Sequence, residues 1–235
     1  MDSKTLFKFA IISLVAFVSN PASNAILDYF NAVKTVENSS EDKESLNAAH
    51  KYVDLGLSVK WATCNVGASS MTDFGIYVAW GETNPNIEYT LYSYSMYDGS
   101  IGNCIKYNDS DNLVNLQPED DVATVKWGEP WRIPTKEEWL ELQEKCQWNW
   151  EEMDGVYGYK ITAQNGNWIF LPAANNRSRF SDHMGIPEGF YWSSTVNEEY
   201  KRRACCFEFQ MVRSYMIISR SREDGCSVRP VLDTD

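Results

Sequence analysis

Histidine is almost missing from this chain. His50 and His183 are the only two in 235 residues, and neither stands at a meaningful spacing from any cysteine. A structural zinc ion needs Cys and His ligands clustered at short spacings, and that pattern does not occur. A cysteine nucleophile lacks a partnered base for the same reason. His50 precedes the expected core, and His183 reads as a solvated loop residue beside Arg177, Arg179 and Asp182. Positive charge is also short. Lys and Arg total 21 against 33 Asp and Glu, a net charge of −12. Such a surface repels phosphate backbones, which argues against nucleic acid as a partner.

Long apolar stretches are scarce too. Phe9-Ala-Ile-Ile-Ser-Leu-Val-Ala-Phe-Val18 follows Lys4 and Lys8 but is too short to span a bilayer as a helix. Pro21-Ala-Ser-Asn-Ala25 then places small residues Ser23 and Ala25 where a signal peptidase cuts. Residues 1–25 therefore read as a cleaved signal peptide, with an uncut membrane anchor as the alternative. Export would carry six cysteines (64, 104, 146, 205, 206 and 226) into an oxidising compartment. Six allow fifteen pairings, and spacing cannot choose among them. A chain of this length buries enough core without staples, so free buried thiols are an equal expectation.

What is present is punctuation for one globular domain. Residues 26–50 are polar and charged and read as a linker or weak helix; residues 51–235 form the domain. Tyr52-Val-Asp-Leu-Gly-Leu-Ser-Val-Lys-Trp-Ala62 alternates like one half-buried strand. Gly75-Ile-Tyr-Val-Ala-Trp80 is a second extended segment, and residues 86–117 are a long insertion rich in Tyr, Ser, Asn and Asp. Residues 119–127 begin with carboxylates and stop at Gly128, which predicts a helix. Thr135 and Glu138 form a capping box for another, with Trp139, Leu142 and Cys146 on one face. Asn165-Gly166 marks a hairpin between 159–163 and 168–171. The tail is strand-rich: Phe190-Tyr-Trp-Ser-Ser-Thr195, a strand through Phe207 and Phe209, and Gly225-Cys-Ser-Val-Arg-Pro-Val231. Short strands around two helices, without strict βαβ alternation, predict an α+β fold with antiparallel sheets.

Taken in order, the 52–67 segment, Ala79-Trp-Gly-Glu-Thr83, Trp127-Gly128, Trp131-Arg-Ile-Pro-Thr-Lys-Glu-Glu-Trp139, Tyr191-Trp-Ser-Ser194 and Ser227-Val-Arg-Pro-Val231 resemble the Fibrobacter succinogenes major paralogous domain family of gut Bacteroidetes. The resemblance spans residues 50–232. It implies a C-type-lectin-like fold in which first and last strands pair, here residues 52–55 with 228–231, and a long loop region lies opposite. It implies a secreted or cell-surface protein with no established catalytic residues. The tail departs from the family pattern at Arg202-Arg-Ala-Cys-Cys206 and Met211-Val-Arg-Ser-Tyr-Met-Ile-Ile218. Related lectin-like folds include the variable proteins of diversity-generating retroelements, whose tails are mutated to change specificity; ordinary drift explains the departure equally.

The same fold is shared with formylglycine-generating enzymes, and Cys205, Cys206 and Cys226 invite that comparison, but that family's wider motifs are missing. Calcium is not implied. Glu119, Asp120, Asp121, Asp109 and Asp111 supply oxygen atoms, yet helix capping and loop solvation account for them. Glu129-Pro130-Trp131 and Trp192-Ser193-Ser194 do not match the calcium-dependent sugar motifs, so no cofactor is expected. The reading that results is an exported, non-enzymatic binding domain for a glycan or protein ligand, with a structural adhesin or fibre subunit as a rival. Candidate contacts are Asn197, Tyr200, Arg202, Arg213, Tyr215, Arg220 and Arg222, polar or aromatic residues of the tail. Oligomeric state is open.

Overall fold

The first described strands are separated by a turn that the alternation of residues 52–62 conceals. Asp54 Oδ1 accepts from the Gly56 N–H at 2.8 Å, and Gly56 adopts φ +70°. That reversal splits the expected single strand into β1 (Tyr52–Val53) and β2 (Val59–Ala62), which pair antiparallel with Tyr52 opposite Ala62. The computed structural model describes residues 50–100, 103–178, 187–211 and 216–233. The signal and linker readings over 1–49, together with His183, Arg213 and Tyr215, lie outside the described residues.

The predicted helix from Glu119 also divides. A single 3-10 turn, Pro118–Asp120, precedes α1 (Val122–Trp127). Asp121 between them is extended, which frees its carboxylate to accept from Ala123 N at 2.8 Å and Thr124 N at 3.1 Å. Its other oxygen accepts from Ile133 N at 2.8 Å, tying α1 to the start of the next segment. After β3 (Trp131–Arg132) comes α2 (Lys136–Lys145), opened by the expected Thr135/Glu138 capping box. Trp139 and Leu142 are fully buried on its inner face.

A strand unforeseen in the sequence reading follows. β4 (Gln147–Met153) turns at Asp154-Gly155, both at positive φ, into β5 (Val156–Thr162), and the Asn165-Gly166 hairpin leads to β6 (Trp168–Pro172). Asp-Gly is a strong hairpin signal, and Trp148 and Trp150 share one face of β4. The third sheet is β7 (Glu188–Val196), β8 (Arg203–Gln210) and β9 (Met216–Ser221). β7 is buried at every position after Glu188, and β8 at Ala204–Phe207 and Phe209, so both faces of the pair feed the core. Where Gly189 opposes Phe209, the Phe209 ring lies on the glycine, and a Cβ would sit 2.0 Å from it.

β10 (Val231–Asp233) closes the chain between β2 and β3 in a four-stranded sheet of order β1-β2-β10-β3. The first and last strands do not pair: the partner of β10 is β2, with Val231 opposite Trp61, rather than residues 52–55. The Asp54–Gly56 turn is the reason, since it leaves β1 at the sheet edge. The architecture is thus α+β: antiparallel sheets with, among the described residues, two short α-helices. Among the described residues no helix is long and apolar enough to cross a membrane.

Two apolar clusters meet across the β7–β8 pair. Phe190, Trp192, Ala204 and Cys206 join Trp80, Trp127, Trp131 and Val228 on one side. Tyr191, Phe207 and Phe209 join Trp61, Trp139, Leu142 and Ile161 on the other. Indole N–H groups stitch the seam: Trp192 donates to Val78 O and Trp80 to Ser193 O, each at 2.8 Å. Beneath β2, Arg229 is wholly buried and donates to Asn65 Oδ1, Ala62 O and Phe170 O at 2.9–3.1 Å. Replacing Arg229 by Met strands those buried acceptors, so R229M should lose about 3 kcal/mol of stability. A urea titration with an unchanged midpoint would contradict this role.

Candidate functional site

The tail loop after β7 is shaped by one side chain. Asn197 Oδ1 accepts from Glu199 N at 3.1 Å and Tyr200 N at 2.7 Å, a local turn of the kind Asn favours. The Asn197 N–H donates to Arg203 O at 2.9 Å and the Arg203 N–H to Tyr200 O at 2.7 Å, which closes the loop on itself. Tyr200 is left 58% exposed at its tip. The loop faces a second one from the long insertion. There Asp111 accepts from Asn108 N at 3.2 Å and Leu113 N at 3.0 Å and also from Tyr107 N. Burial works to raise the Asp111 pKa, but these three N–H bonds outweigh it and hold the carboxyl below its ordinary value.

Both loops are pinned to Arg222. Its guanidinium has zero exposure, lies over the Trp80 ring at 4.6 Å and has the Tyr94 and Tyr107 rings at 5.5 and 5.7 Å. It donates to Lys106 O from the insertion at 3.1 Å, to Lys201 O from the tail loop at 3.0 Å and to Tyr94 Oη at 2.8 Å. The expected ligand contact at Arg222 is corrected here: every face of the group is occupied by protein, so it acts as an internal pin. Arg220 is likewise engaged, 4.2 Å over the Phe190 ring and 3.1 Å from Asp224 Oδ2. Asn197 shapes the loop, while Tyr200 and Arg202 line a cavity.

That cavity, about 420 Å³, is bounded by Asp109, Glu199, Tyr200, Lys201, Arg202, Arg203, Ser221 and Glu223. Asp109 and Lys201 also line an adjoining cavity of about 340 Å³ with Asp98, Asn103, Asn108 and Ser110. Together they make one polar groove between the tail loop and the insertion. Three carboxylates and three cations line its first lobe, so the charges balance. A larger hollow of about 750 Å³ lies beside Ile87, Tyr92 and Arg177, but it holds none of the tail candidates. The sequence reading missed Asp109 and Glu223 as groove residues. The polar composition of residues 86–117 was the available signal for the first.

Glu119 and Asp120 are ion-paired to Lys106 at 2.7 and 2.6 Å, and Asp121 is consumed as a cap. Among the described residues no group of three or more His, Cys, Asp or Glu could hold a metal. Cys206 and Cys226 are out of solvent reach, and burial pushes the Cys205 and Cys226 thiols up, against thiolate formation. His50 is not a linker residue in isolation: its ring stacks on Trp127 with centroids 3.8 Å apart, and burial lowers its pKa. No protein-family model, curated protein or solved structure matches the chain.

The turn that supplies Ser221 and Glu223 carries a pH signature. Burial raises the Asp224 carboxyl from 3.8 to about 6; Arg220 and Arg203 oppose the shift and Glu223 adds to it. A carboxyl with a raised folded-state pKa favours folding below its unfolded value, and that contribution disappears as pH rises through about 6. Wild type should therefore lose stability relative to D224N between about pH 4 and pH 7. Parallel urea midpoints for the two proteins across that window would refute the shift.

Proposed function

We propose that this is a non-enzymatic binding domain, built on a C-type-lectin-like scaffold and exported to the cell surface or beyond, that takes a glycan in the groove between the tail loop and the insertion. One observation carries the reading. Two loops far apart in sequence, 197–203 and 103–111, are held against a single buried guanidinium, leaving a polar groove with an exposed tyrosine at its rim. Rigid positioning of polar loops on a packed scaffold is the arrangement that binding sites use.

The charge pattern narrows the ligand. With Asp109, Glu199 and Glu223 set among Lys201, Arg202 and Arg203, a strongly anionic ligand meets as much repulsion as attraction. A neutral polyhydroxylated chain uses both signs, since each hydroxyl donates to carboxylates and accepts from cations. Tyr200 then offers a flat face for a sugar ring. A protein ligand presenting a polar loop satisfies the same pattern and is the second reading.

Screening the purified domain on an array of neutral and acidic oligosaccharides should yield neutral binders. For those, Y200A and R202A should each weaken affinity about tenfold, a loss of about 1.4 kcal/mol, with the melting temperature unchanged. Binding indifferent to both substitutions would remove the groove as the site. Hydrolysis or oxidation of the bound glycan would overturn the non-enzymatic reading.

A further inference from the structure

Two of the segments that mark the sequence, 131–135 and 191–194, take no part in the groove, yet the fold brings them to one hollow. Its volume is about 470 Å³, within the range of small-molecule sites. Leu116, Pro118, Pro130 and Ile133 give it apolar walls, and Ser194 of β7 joins two of its sides. The Ser194 N–H donates to Pro134 O at 2.8 Å, and its carbonyl accepts from Leu116 N at 2.9 Å. Its backbone is therefore held by both. Its side chain is not: Ser194 is only 5% exposed, and its hydroxyl has no hydrogen-bond partner among the described residues.

Two further neutral groups border the same space. Thr195 Oγ1 accepts from Lys136 N at 3.1 Å, so its own hydrogen goes to Asn115 Oδ1 at 2.8 Å. That bond fixes the Asn115 amide and leaves its NH2 group to donate elsewhere. Thr135 Oγ1 accepts from Glu138 N at 3.3 Å as the α2 cap, which keeps its hydroxyl hydrogen in reserve. The charged groups, by contrast, are engaged. Asp121 accepts from Ala123, Thr124 and Ile133 N–H groups, and Arg132 is forked on Glu138 at 2.6 and 2.9 Å with Asp233 at 2.5 Å. An ion carried inside would lose hydration and meet no free counter-charge. The exposed carboxylates Glu129 and Asp233 border the hollow too, and they repel anions in particular.

We propose that this hollow is a second binding site, separate from the groove, that takes one uncharged sugar ring. Such a ring has an apolar C–H face, which suits the walls at Leu116, Pro118 and Pro130. Its hydroxyl edge suits Ser194, Asn115 and Thr135, each of which exchanges hydrogen bonds without charge. The walls stand in place before a ligand arrives, because Val196 N donates to Val114 O at 2.8 Å and Thr124 Oγ1 to Trp131 O at 2.8 Å. The assignment rests on this hollow alone and holds whatever the groove binds.

The test titrates the purified full chain with methyl β-glucoside, methyl α-fucoside and the anionic methyl β-glucuronide, followed by saturation-transfer NMR. A neutral glycoside should bind and the glucuronide should not. S194A, which removes one hydroxyl, should weaken that binding about fivefold with the melting temperature unchanged. L116W, which fills the hollow, should abolish it; if L116W does not fold, S194A carries the test. Absence of binding by both neutral glycosides, equal binding of the glucuronide, or indifference to S194A would overturn the assignment. A glycoside held in the groove alone would respond to Y200A and not to S194A, which refutes the second site while leaving the groove reading intact.

Discussion

The arrangement rests on two guanidinium groups placed where charge is costly. Arg222 and Arg229 are fully buried, and among the described residues neither is in an ion pair with a carboxylate. Each is satisfied by carbonyl oxygens and neutral polar groups, with aromatic faces added around Arg222. An unmet N–H there would cost a full desolvation penalty, so the backbone carrying those carbonyls is fixed as firmly as the fork itself. Arg229 thereby fixes residues 62–65 against Phe170, and Arg222 fixes residue 106 against residue 201. Among its described residues the insertion has no helix or ladder strand, and that second fork, with the Asp111 turn, ties it to the tail loop.

The same logic separates scaffold from surface in the tail. β7 and β8 feed a core on each face, and Gly189 survives in β7 because the Phe209 ring fills the space that its own side chain would have used. A substitution inside either strand meets packed atoms on both sides. Among the described tail residues, 197–203 and the turn at 221–224 are the pieces that meet at the groove. The strand positions Ala204, Cys205 and Cys206, all buried, are poor places for ligand-driven variation.

Elements governed by local chemistry were legible from the sequence. The Thr135 capping box, the Asn165-Gly166 hairpin and the burial of Trp61, Trp80, Trp131 and Trp139 follow from neighbours within a few residues. Trp168, by contrast, is half-buried, with Lys160 4.7 Å over its ring. Errors arose where one pattern hid another. The alternation through 52–62 masked the Asp54 turn, and Asp154-Gly155 was passed over between two tryptophan-rich runs. For the site, the loop holding Asn197, Tyr200 and Arg202 was legible as polar and irregular. Arg222 was not, because an arginine in a polar tail looks solvated until Trp80, Tyr94 and Tyr107, more than 110 residues upstream, are brought around it.

That distance bears on what the groove can do. A groove whose walls are separately mobile must order itself on each binding event, and the cost comes out of affinity. Here one buried cation holds both walls before any ligand arrives, so charges of opposite sign stand fixed in the first lobe without collapsing onto one another. Arg203 illustrates the point: its Nε donates to Ser219 Oγ at 2.9 Å, so it is held by β9 and kept from folding onto a neighbouring carboxylate. A charge-balanced surface free to rearrange would close into ion pairs and offer nothing to a neutral ligand. Pinned to Arg222, it keeps donors and acceptors presented together, which is the property that a polyhydroxylated ligand requires.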